Sequence, residues 1–322
     1  MQVRKLGATG VEVGGIGLGC MGMSWLYKES ELDDNRSVEV IREAVDLGVT
    51  LLDTADLYGA GHNEELLGRA AVGRREDVVV ATKFGIVIED LAARRSHLDG
   101  SPAYLRTAIE ASLRRLGTEV IDLYYLHRVD PTVPLGDTWG AMAELVAEGK
   151  VRFLGLSEVS VAQAVEAHAI HPVTAIQSEL SLWTRDPLGP DKADDVVRWC
   201  ADNEVSFVPF APLGRGFLTG TLYVDRFEDS DFRATNPRFR GPAIVTNQRI
   251  VDVVREVAER RSATPAQVAI AWTLAHGGQV VPIPGTKNPR YLRENVAASD
   301  LVLSAEDLAD LDAVPAAVGS RY

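Results

Sequence analysis

The sequence predicts an α/β fold, a (β/α)8 TIM barrel that forms a single domain over residues 1–322, and three observations support this. Eight short apolar segments alternate with segments of helical spacing. The composition does not change along the chain, so nothing marks a second domain. Barrels of this length are routinely single domains. A doubly wound open sheet is the alternative, and the count of strands favours the barrel.

The chain opens with a predicted β-hairpin at Val3–Val13, because Gly7 and Gly10 mark a turn between two strand-like segments. The predicted barrel strands are short apolar runs bounded by turn residues: Ile16–Gly19, Val49–Leu52, Val78–Thr82, Ile121–Leu126, Val151–Leu156, Val173–Gln177, Val205–Pro209 and Val280–Ile283. A long irregular loop, about Leu213–Val245, follows the seventh strand. In a barrel the carboxyl ends of all strands lie on one face, and that face carries the chemistry.

The helices are predicted from apolar spacing and from the residues that begin and end helices. Ser101 before Pro102, Ser160 with Gln163, Thr264 before Pro265, and Ser304 with Asp307 are typical N-terminal caps. The predicted helices are Asn35–Leu47, Glu64–Ala71, Pro102–Leu116, Leu135–Glu148, a helix after Ser160, Asp191–Asn203, Thr246–Arg261, Pro265–His276, Tyr291–Ala297 and a last helix after Ser304.

Composition excludes several classes of function. The formal net charge of −13 makes the chain a poor binder of nucleic acid or of an anionic membrane surface. No apolar run approaches the roughly 18 residues of a membrane-spanning helix. The only cysteines, Cys20 and Cys200, form no disulfide framework and no zinc-binding pattern, so we expect a reduced cytoplasmic setting and no metal.

A glycine pattern near the first strand resembles a dinucleotide fingerprint. Gly17-Leu-Gly-Cys-Met-Gly22 matches G-x-G-x-x-G, but a fingerprint needs a helix immediately after it. Here the next predicted helix begins only near Asn35. We therefore interpret the glycines as a closely packed first strand whose backbone, around Cys20 and Met21, lines the mouth of the site and contacts a cofactor.

Four polar residues form the central candidate site. Asp53, Lys83 and His127 each close an apolar run in three successive predicted strands, and Tyr58 lies on the loop after Asp53. Each alone has a structural explanation, such as a helix cap or a lysine that extends to solvent. In a barrel, however, the tips of adjacent strands can touch. We therefore expect an acid, a phenol, an ammonium and an imidazole at one place.

Physical chemistry gives these four side chains distinct roles. A free tyrosine titrates near ~10, and a nearby ammonium lowers that value by stabilising the phenolate. Lys83 would supply the charge, and Asp53 would hold Lys83 in place and protonated. His127 would donate a hydrogen bond to a carbonyl oxygen. Protonating an oxygen that gains negative charge is what carbonyl reduction requires, and the missing hydride donor implies a nicotinamide cofactor.

Later strand ends offer contacts for such a cofactor. Ser157 and Glu158 after strand five, and Gln177 at the end of strand six, could fix a carboxamide, although a strand-end amide is also common without function. Phe210 offers a flat face to an aromatic ring. The turn after it could approach a pyrophosphate through its backbone and through Arg215; its residues are Pro212, Leu213, Gly214, Arg215 and Gly216.

The segment after strand eight is the candidate phosphate site. Barrels commonly bind phosphate after strands seven and eight, at the N-terminus of a short helix. Lys287, Arg290 and Arg293 place positive charge there in an acidic protein. A 2′-phosphate, and hence NADPH rather than NADH, is the expected ligand. A solvated basic helix start is the alternative.

Together these segments resemble the aldo-keto reductase superfamily. The resemblance rests on Asp53-Thr-Ala-Asp-Leu-Tyr-Gly59, Ala81-Thr-Lys-Phe84, Asp122-Leu-Tyr-Tyr-Leu-His127, the segment from Glu148 to Ser157, Pro212-Leu-Gly-Arg-Gly216 and Pro284-Gly-Thr-Lys287, and it covers essentially the whole chain in order. The end of the long loop is similar to bacterial and fungal pyridoxal and general aldehyde reductases.

The resemblance implies NADPH-dependent reduction of aldehydes or ketones to alcohols, with a proton from Tyr58 and a small-molecule carbonyl substrate. It implies that Asp53, Lys83 and His127 complete a catalytic tetrad. Ser157, Glu158 and Gln177 match carboxamide contacts, although many relatives have Asn or Arg in place of Glu158. The residues matching contacts to the adenosine 2′-phosphate end are Gly285, Thr286, Lys287, Glu294 and Asn295, and we also expect the positive charge of Arg293 to contact the cofactor.

Two alternatives come from other functional classes. Similar barrels serve as NADPH-binding regulatory subunits of potassium channels, but those generally carry Asn at the position of His127. A phosphate-handling isomerase barrel would explain the strand-eight segment but would leave Tyr58 and Lys83 without a role. For the substrate pocket we expect Trp25, Phe84 and Arg128 to supply walls: aromatic walls suit apolar carbonyls, whereas Arg128 suits an anionic group.

Overall fold

Parallel strands arranged as a barrel form the centre of the protein. The computed structural model describes residues 1–189, 194–222 and 227–321. Its main sheet has seven strands in the order β3–β4–β5–β8–β9–β10–β11, with every neighbouring pair parallel. These strands are β3 (Leu18–Gly19), β4 (Leu51–Asp53), β5 (Val79–Phe84), β8 (Ile121–Leu126), β9 (Val151–Ser157), β10 (Ala175–Glu179) and β11 (Ser206–Phe210).

The segment 279–285 closes the barrel between β11 and β3. Val281 N donates to Phe207 O at 2.8 Å on one side, and Gly17 N donates to Pro282 O at 2.9 Å on the other. Only isolated bridges form here, so the predicted eighth strand Val280–Ile283 is not a continuous strand. Pro282 and a second proline two residues later have no N–H to donate, which explains the interruption. The architecture is nevertheless the predicted α/β barrel.

Two antiparallel hairpins are added to the barrel. The first, β1 (Val3–Lys5) with β2 (Glu12–Gly14), is the predicted N-terminal hairpin. The second, β6 (Ile86–Asp90) with β7 (Arg95–Leu98), was not predicted and stands beside the carboxyl end of β5. All four residues of β7 are exposed, so no apolar alternation marked that strand in the sequence.

Helices separate the barrel strands and mostly match their predicted positions. Ser101, Ser160, Thr264 and Ser304 cap helices as expected. One boundary was wrong: the helix predicted from Thr246 begins at Gly241. The start of the predicted helix Asp191–Asn203 lies outside the described residues. The helices are α1 (Asp34–Asp46), α2 (His62–Ala71), α3 (Pro102–Leu116), α4 (Leu135–Ala147), α5 (Val161–Ile170), α6 (Val196–Asp202), α7 (Gly241–Arg261), α8 (Pro265–Leu274), α9 (Pro289–Ala297) and α10 (Ala305–Asp312).

The alternation of side chains along β5 explains where the polar residues lie. Val79 and Ala81 belong to the apolar cluster inside the barrel, whereas Val80 and Phe84 belong to the larger cluster under the helices. Because side chains alternate along a strand, Lys83 faces the interior at its carboxyl end. Within the described part of the chain, no helix is both long and apolar enough to span a membrane.

Candidate active site

A buried lysine joins the predicted polar residues at the barrel mouth. Lys83 Nζ lies 2.6 Å from Asp53 Oδ1 and 3.3 Å from Tyr58 Oη, and it also donates to Thr54 O at 2.7 Å. The other Asp53 oxygen accepts a hydrogen bond from Gln177 Nε2 at 2.7 Å. The strands that carry Asp53 and Lys83, β4 and β5, are neighbours, as the sequence predicted.

The proton state of Tyr58 differs from the expectation. Burial raises the pKa of the Tyr58 phenol, and the Lys83 ammonium lowers that pKa without reversing the net increase. Burial also lowers the pKa of Lys83, but Asp53 and Tyr58 raise it more, so the ammonium stays charged. Lys83 therefore acts on Tyr58 in the predicted direction, but burial, which the sequence analysis left out, outweighs it and keeps the pKa of Tyr58 above its ordinary value. Tyr58 keeps its proton at neutral pH, and Lys83 is placed to stabilise the phenolate once that proton leaves.

His127 completes the group from the neighbouring strand. Its ring meets the Tyr58 ring edge to face, with centroids 5.9 Å apart. Burial, together with the charges of Lys83 and Arg128, holds the pKa of His127 well below 6.5, so the imidazole is neutral near pH 7. Its Nδ1 is buried and makes no hydrogen bond within the described residues. A neutral imidazole has one N–H and can donate it to a carbonyl oxygen.

Trp25 and Arg128 border this group, but they do so differently. The Trp25 ring lies 6.4 Å from the Tyr58 ring and helps to line a small cavity with Leu57 and Ile88. The Arg128 guanidinium donates to His127 O at 2.6 Å and to Ser157 Oγ at 3.1 Å. Arg128 thus braces the ends of β8 and β9, whereas Trp25 offers an apolar wall.

Phe84 does not lie where the sequence analysis placed it. Its side chain is fully buried and stacks on Tyr124 at a centroid distance of 5.3 Å, in the layer under the helices. The reason is strand geometry, because Lys83 faces inward and its neighbour must face outward. Phe84 is therefore a core residue and not a wall of the substrate pocket.

Of the three residues predicted to contact a carboxamide, two keep polar atoms that can bind it and one is engaged elsewhere. Ser157 Oγ accepts from Arg128 and still has its own hydroxyl hydrogen to donate. Gln177 donates to Asp53 through Nε2, and its amide also carries an oxygen that can accept a hydrogen bond. Glu158 has other partners: Oε1 accepts from Glu179 N at 2.7 Å, and Oε2 pairs with Arg321. Glu158 therefore points away from the role that the sequence suggested.

The segment after β11 forms a tight turn. Phe210 is partly exposed, and Gly214 and Gly216 have positive φ angles of 55° and 95°. A Cβ at Gly214 would come within 2.8 Å of the Trp183 ring, so only glycine fits there. Arg215 donates to Glu179 Oε2 at 3.0 Å. Pro212 and Leu213, also predicted, lie in the same turn.

Lys287 is the cation best placed for a phosphate. Its ammonium is partly buried just before α9, donates to Tyr27 O and Lys28 O at 3.3 and 3.1 Å, and has the Glu31 carboxylate 4.0 Å away. Burial lowers the pKa of Lys287. The Glu31 carboxylate raises that pKa, but it offsets the effect of burial only partly. An anion at the start of α9 would complete the compensation.

The other residues predicted around Lys287 have varied surroundings. Arg293 pairs with Glu43 at 2.6 Å on an exposed surface, and Glu294 accepts from Thr264 Oγ1 at 2.7 Å. Asn295 is buried. Gly285 bridges to Gly19 at the end of the segment that closes the barrel, and Thr286 directly follows it.

The glycine pattern at β3 is explained by close packing. A Cβ at Gly17 would lie 2.8 Å from the Ile283 side chain, and one at Gly19 would lie 2.9 Å from Ile283 O. A single 3-10 turn at Met21–Met23, not an α-helix, follows. The interpretation as a closely packed strand is confirmed, and the dinucleotide fingerprint is excluded.

Several residues near the site were not singled out from the sequence. Asp56, on the loop between Asp53 and Tyr58, is partly buried with its Oδ1 shielded, and Tyr104 Oη donates to the carboxylate at 3.5 Å. Arg321, near the end of the chain, reaches Glu158 and Glu179. The position of Asp56 inside the motif was a usable signal, whereas nothing in the sequence linked Arg321 to the barrel mouth. Among the residues that the structure describes, no cluster of His, Cys, Asp or Glu side chains could hold a metal ion.

Comparisons with known proteins identify the family of this chain. The family model described as "Aldo/keto reductase family" matches residues 15–316. A soybean (Glycine max) protein named "Probable aldo-keto reductase 1" is 42% identical over 326 aligned positions, covering 100% of this chain and 92% of that protein.

Solved structures give the same result. A glycerol dehydrogenase from Gluconobacter oxydans superposes with a TM-score of 0.86 at 29% identity, covering 96% of this chain and 94% of that one. An aldo/keto reductase from Klebsiella pneumoniae, solved with NADP and acetate, superposes with a TM-score of 0.72 at 29% identity, covering 97% and 95%. The chain therefore belongs to the aldo/keto reductase family, and it is an oxidoreductase that reduces carbonyl groups with NADPH.

Proposed function

We propose that Tyr58 donates the proton that turns the carbonyl oxygen of the substrate into an alcohol. The observation that supports this role is the position of the Lys83 ammonium, which lies between Asp53 and the Tyr58 hydroxyl in a fully buried site. Bound NADPH supplies the hydride to the carbonyl carbon. The protein must supply the proton and stabilise the charge that develops on oxygen.

Each tetrad residue then has one task. As Tyr58 releases its proton, the phenolate forms 3.3 Å from the Lys83 ammonium, which stabilises it. Asp53 keeps Lys83 charged and in place. The neutral His127 donates a hydrogen bond that orients and polarises the carbonyl oxygen. Stabilisation in a dry site is worth more than in water because the local dielectric is low.

For the cofactor, we propose the strand-end residues whose polar atoms remain available. Ser157 and Gln177 would hold the carboxamide, and Phe210 would stack on the nicotinamide ring. The Gly214–Gly216 turn would face the pyrophosphate. Lys287 would bind the 2′-phosphate, which fits its partly compensated charge. Cys20 and Met21 would contribute backbone at the mouth.

The substrate class follows from the walls near Tyr58. Trp25 and Ile88 pack against Leu57 and Tyr58 and make one side apolar. Charged residues such as Asp90 and Arg94 line another part of the small cavity beside Trp25. Arg128 is already engaged with backbone and Ser157. We therefore propose small aldehydes or ketones with an apolar or aromatic group. The Gluconobacter relative is a glycerol dehydrogenase, so small polyols belong in an assay of the reverse direction. A single domain, a cytoplasmic setting and the lack of a nucleic-acid partner stay predictions.

Tyr58→Phe tests the proposal. We expect the variant to lose aldehyde-dependent oxidation of NADPH by at least about 100-fold, because it lacks the proton donor, while the Kd for NADPH changes little. The control is Tyr124→Phe, which removes a buried hydroxyl outside the tetrad. Unchanged turnover in Tyr58→Phe would refute the role. No turnover by the wild-type protein on a broad carbonyl panel, with tight NADPH binding, would favour the regulatory alternative.

A further inference from the structure

The carboxyl ends of β9 and β10 carry two carboxylates that share one arginine. Glu158 directly follows β9, and Glu179 is the last residue of β10, only 2% exposed. Arg321 pairs with Glu158 Oε2, and its Nε lies 3.0 Å from Glu179 Oε2. The Glu158 backbone has a positive φ of 56°, an unusual conformation for a residue with a side chain. The charges at these two strand ends are therefore balanced in part by Arg321, which is distant in sequence.

The segment that carries Arg321 is fixed by the long loop and by α7. Asn236 Nδ2 donates to Arg321 O at 2.9 Å. Asn247 binds both backbone groups of Val318, at 2.7 Å to N and 3.0 Å to O. Arg238 donates to Gly319 O at 3.2 Å. Residues 318–321 are thus held by several hydrogen bonds, so the guanidinium is delivered to a defined position.

The same carboxylates border the segments proposed to hold the dinucleotide. Glu158 is next to Ser157, and Glu179 Oε2 also binds Arg215 of the pyrophosphate turn at 3.0 Å. A dinucleotide brings negative phosphates, which an uncompensated carboxylate would repel. Without Arg321, Glu158 would lose this ion pair, whereas Glu179 would keep Arg215 and lose only part of its compensation. The repulsion therefore depends on the charge of Arg321.

We propose that Arg321 is a positioning residue for the cofactor, which neutralises Glu158 and Glu179 so that the Ser157 and Arg215 segments can accept the dinucleotide. This inference rests on the proposed cofactor contacts. It also gives a reason for the acidic residue after Ser157, where many aldo-keto reductases have Asn or Arg. Here a carboxylate is compatible with the site because an arginine from the C-terminal segment balances it.

The test measures dinucleotide binding without turnover. NADPH and NADH are titrated separately into wild type, Arg321→Ala and Arg321→Lys, and binding is followed by quenching of tryptophan fluorescence. We expect Arg321→Ala to raise the Kd for both dinucleotides by a similar factor of about ten or more, since the pyrophosphate is common to them. Arg321→Lys, which keeps the charge, should give a smaller increase.

A double variant separates charge from packing. Glu158→Gln keeps an oxygen that can accept from Glu179 N, so Arg321→Ala combined with Glu158→Gln should bind NADPH more tightly than Arg321→Ala alone. Arg198→Ala, an exposed arginine on α6, is the matched control. Thermal unfolding of each variant identifies any that fail to fold. An unchanged Kd in folded Arg321→Ala, or no recovery in the double variant, would overturn the proposal. These titrations judge Arg321 even if Tyr58→Phe remains active.

Discussion

Lys83 and Asp53 form an ion pair that is sealed inside the barrel, with Nζ and Oδ1 2.6 Å apart and the two side chains 0% and 4% exposed. Both charges are shielded from bulk solvent, so each relies on the other for charge compensation, while Thr54 O and Gln177 Nε2 supply further hydrogen bonds. The pair therefore contributes in two ways, to the stability of the fold and to the proton transfer proposed for Tyr58. Variants can separate these contributions.

We expect Lys83→Met to lower both activity and stability. The free energy of unfolding, measured with urea, should fall by roughly 3–5 kcal/mol because Asp53 is left buried and unpaired. Turnover should fall by about 100-fold or more because the phenolate loses its ammonium. Adding Asp53→Asn should restore much of the stability but not the turnover. A Lys83→Met variant as stable as wild type would show that the buried charge of Asp53 is compensated in another way.

Asp56 predicts a pH dependence of stability. Burial, together with the nearby Glu64 carboxylate, raises the pKa of Asp56 to about 8, although Arg115 acts in the opposite direction. Its Oδ1 has no hydrogen-bond partner within the described residues. An aspartate in the unfolded chain titrates near ~4, so between about pH 4 and about pH 8 the folded state holds one proton more.

Raising the pH through that window lowers the stability of the wild type, by up to about 1.4 kcal/mol per pH unit from this one group. Asp56→Asn removes the group, so the variant should gain stability relative to wild type as the pH rises from about 5 to about 8. Urea unfolding at several pH values measures this gain, with the exposed Asp202→Asn as control. A constant difference between Asp56→Asn and wild type would contradict the raised pKa.

Lys287→Ala should weaken NADPH more than NADH. Only NADPH has the 2′-phosphate that the Lys287 ammonium is proposed to bind, and loss of such a charge-assisted contact costs about tenfold or more in Kd. Lys150→Ala is the matched control, because Lys150 precedes β9 at the opposite end of the barrel and pairs with Glu110. Fluorescence titration gives both constants. Equal losses for NADPH and NADH would argue against the 2′-phosphate contact.

Trp25 and Phe84 should respond to substitution in opposite ways. Trp25→Ala removes an apolar wall beside Tyr58, so the KM for an aromatic aldehyde should rise while the melting temperature changes little. Phe84→Leu opens space in the core, and we expect it to cost about 1–3 kcal/mol of stability with an unchanged KM. Steady-state kinetics and thermal unfolding provide the measurements. If Phe84→Leu changed KM and Trp25→Ala did not, Phe84 would belong to the pocket after all.

The sequence predicted the features that depend on local pattern. Apolar runs ending in Asp53, Lys83 and His127 located the strand tips, and the barrel rule placed those tips together. The same two-residue period, applied one position further, would have placed Phe84 in the core. The pKa of Tyr58 could not be predicted, because the cost of burial competes with the charge of Lys83 and only the structure shows how deeply both lie.

The features that the sequence did not predict depend mainly on contacts between residues far apart in the chain. Arg321 and Glu158 are 163 positions apart, and no periodicity or motif connects them. The N-terminal part of α7 was missed because Gly241 and Pro242 are typical of a loop, although proline fits the first turn of a helix. The interruption of the eighth strand could be anticipated from Pro282, but the bridges that complete the barrel depend on how Phe207 and Gly19 approach it.

The segment 279–285 gives the barrel a seam. The other neighbouring strands are joined by continuous ladders of backbone hydrogen bonds, whereas here isolated bridges join Phe207 to Val280 and Gly19 to Gly285. Amide hydrogens along this seam should exchange with solvent sooner than those of β5 or β8, because fewer bonds must break to expose them. The proposed cofactor contacts stand on both edges of the seam, on the turn after β11 and beside Lys287. A bound dinucleotide would contact both sides of this interruption, so the cofactor that delivers the hydride would also stabilise the closure of the barrel.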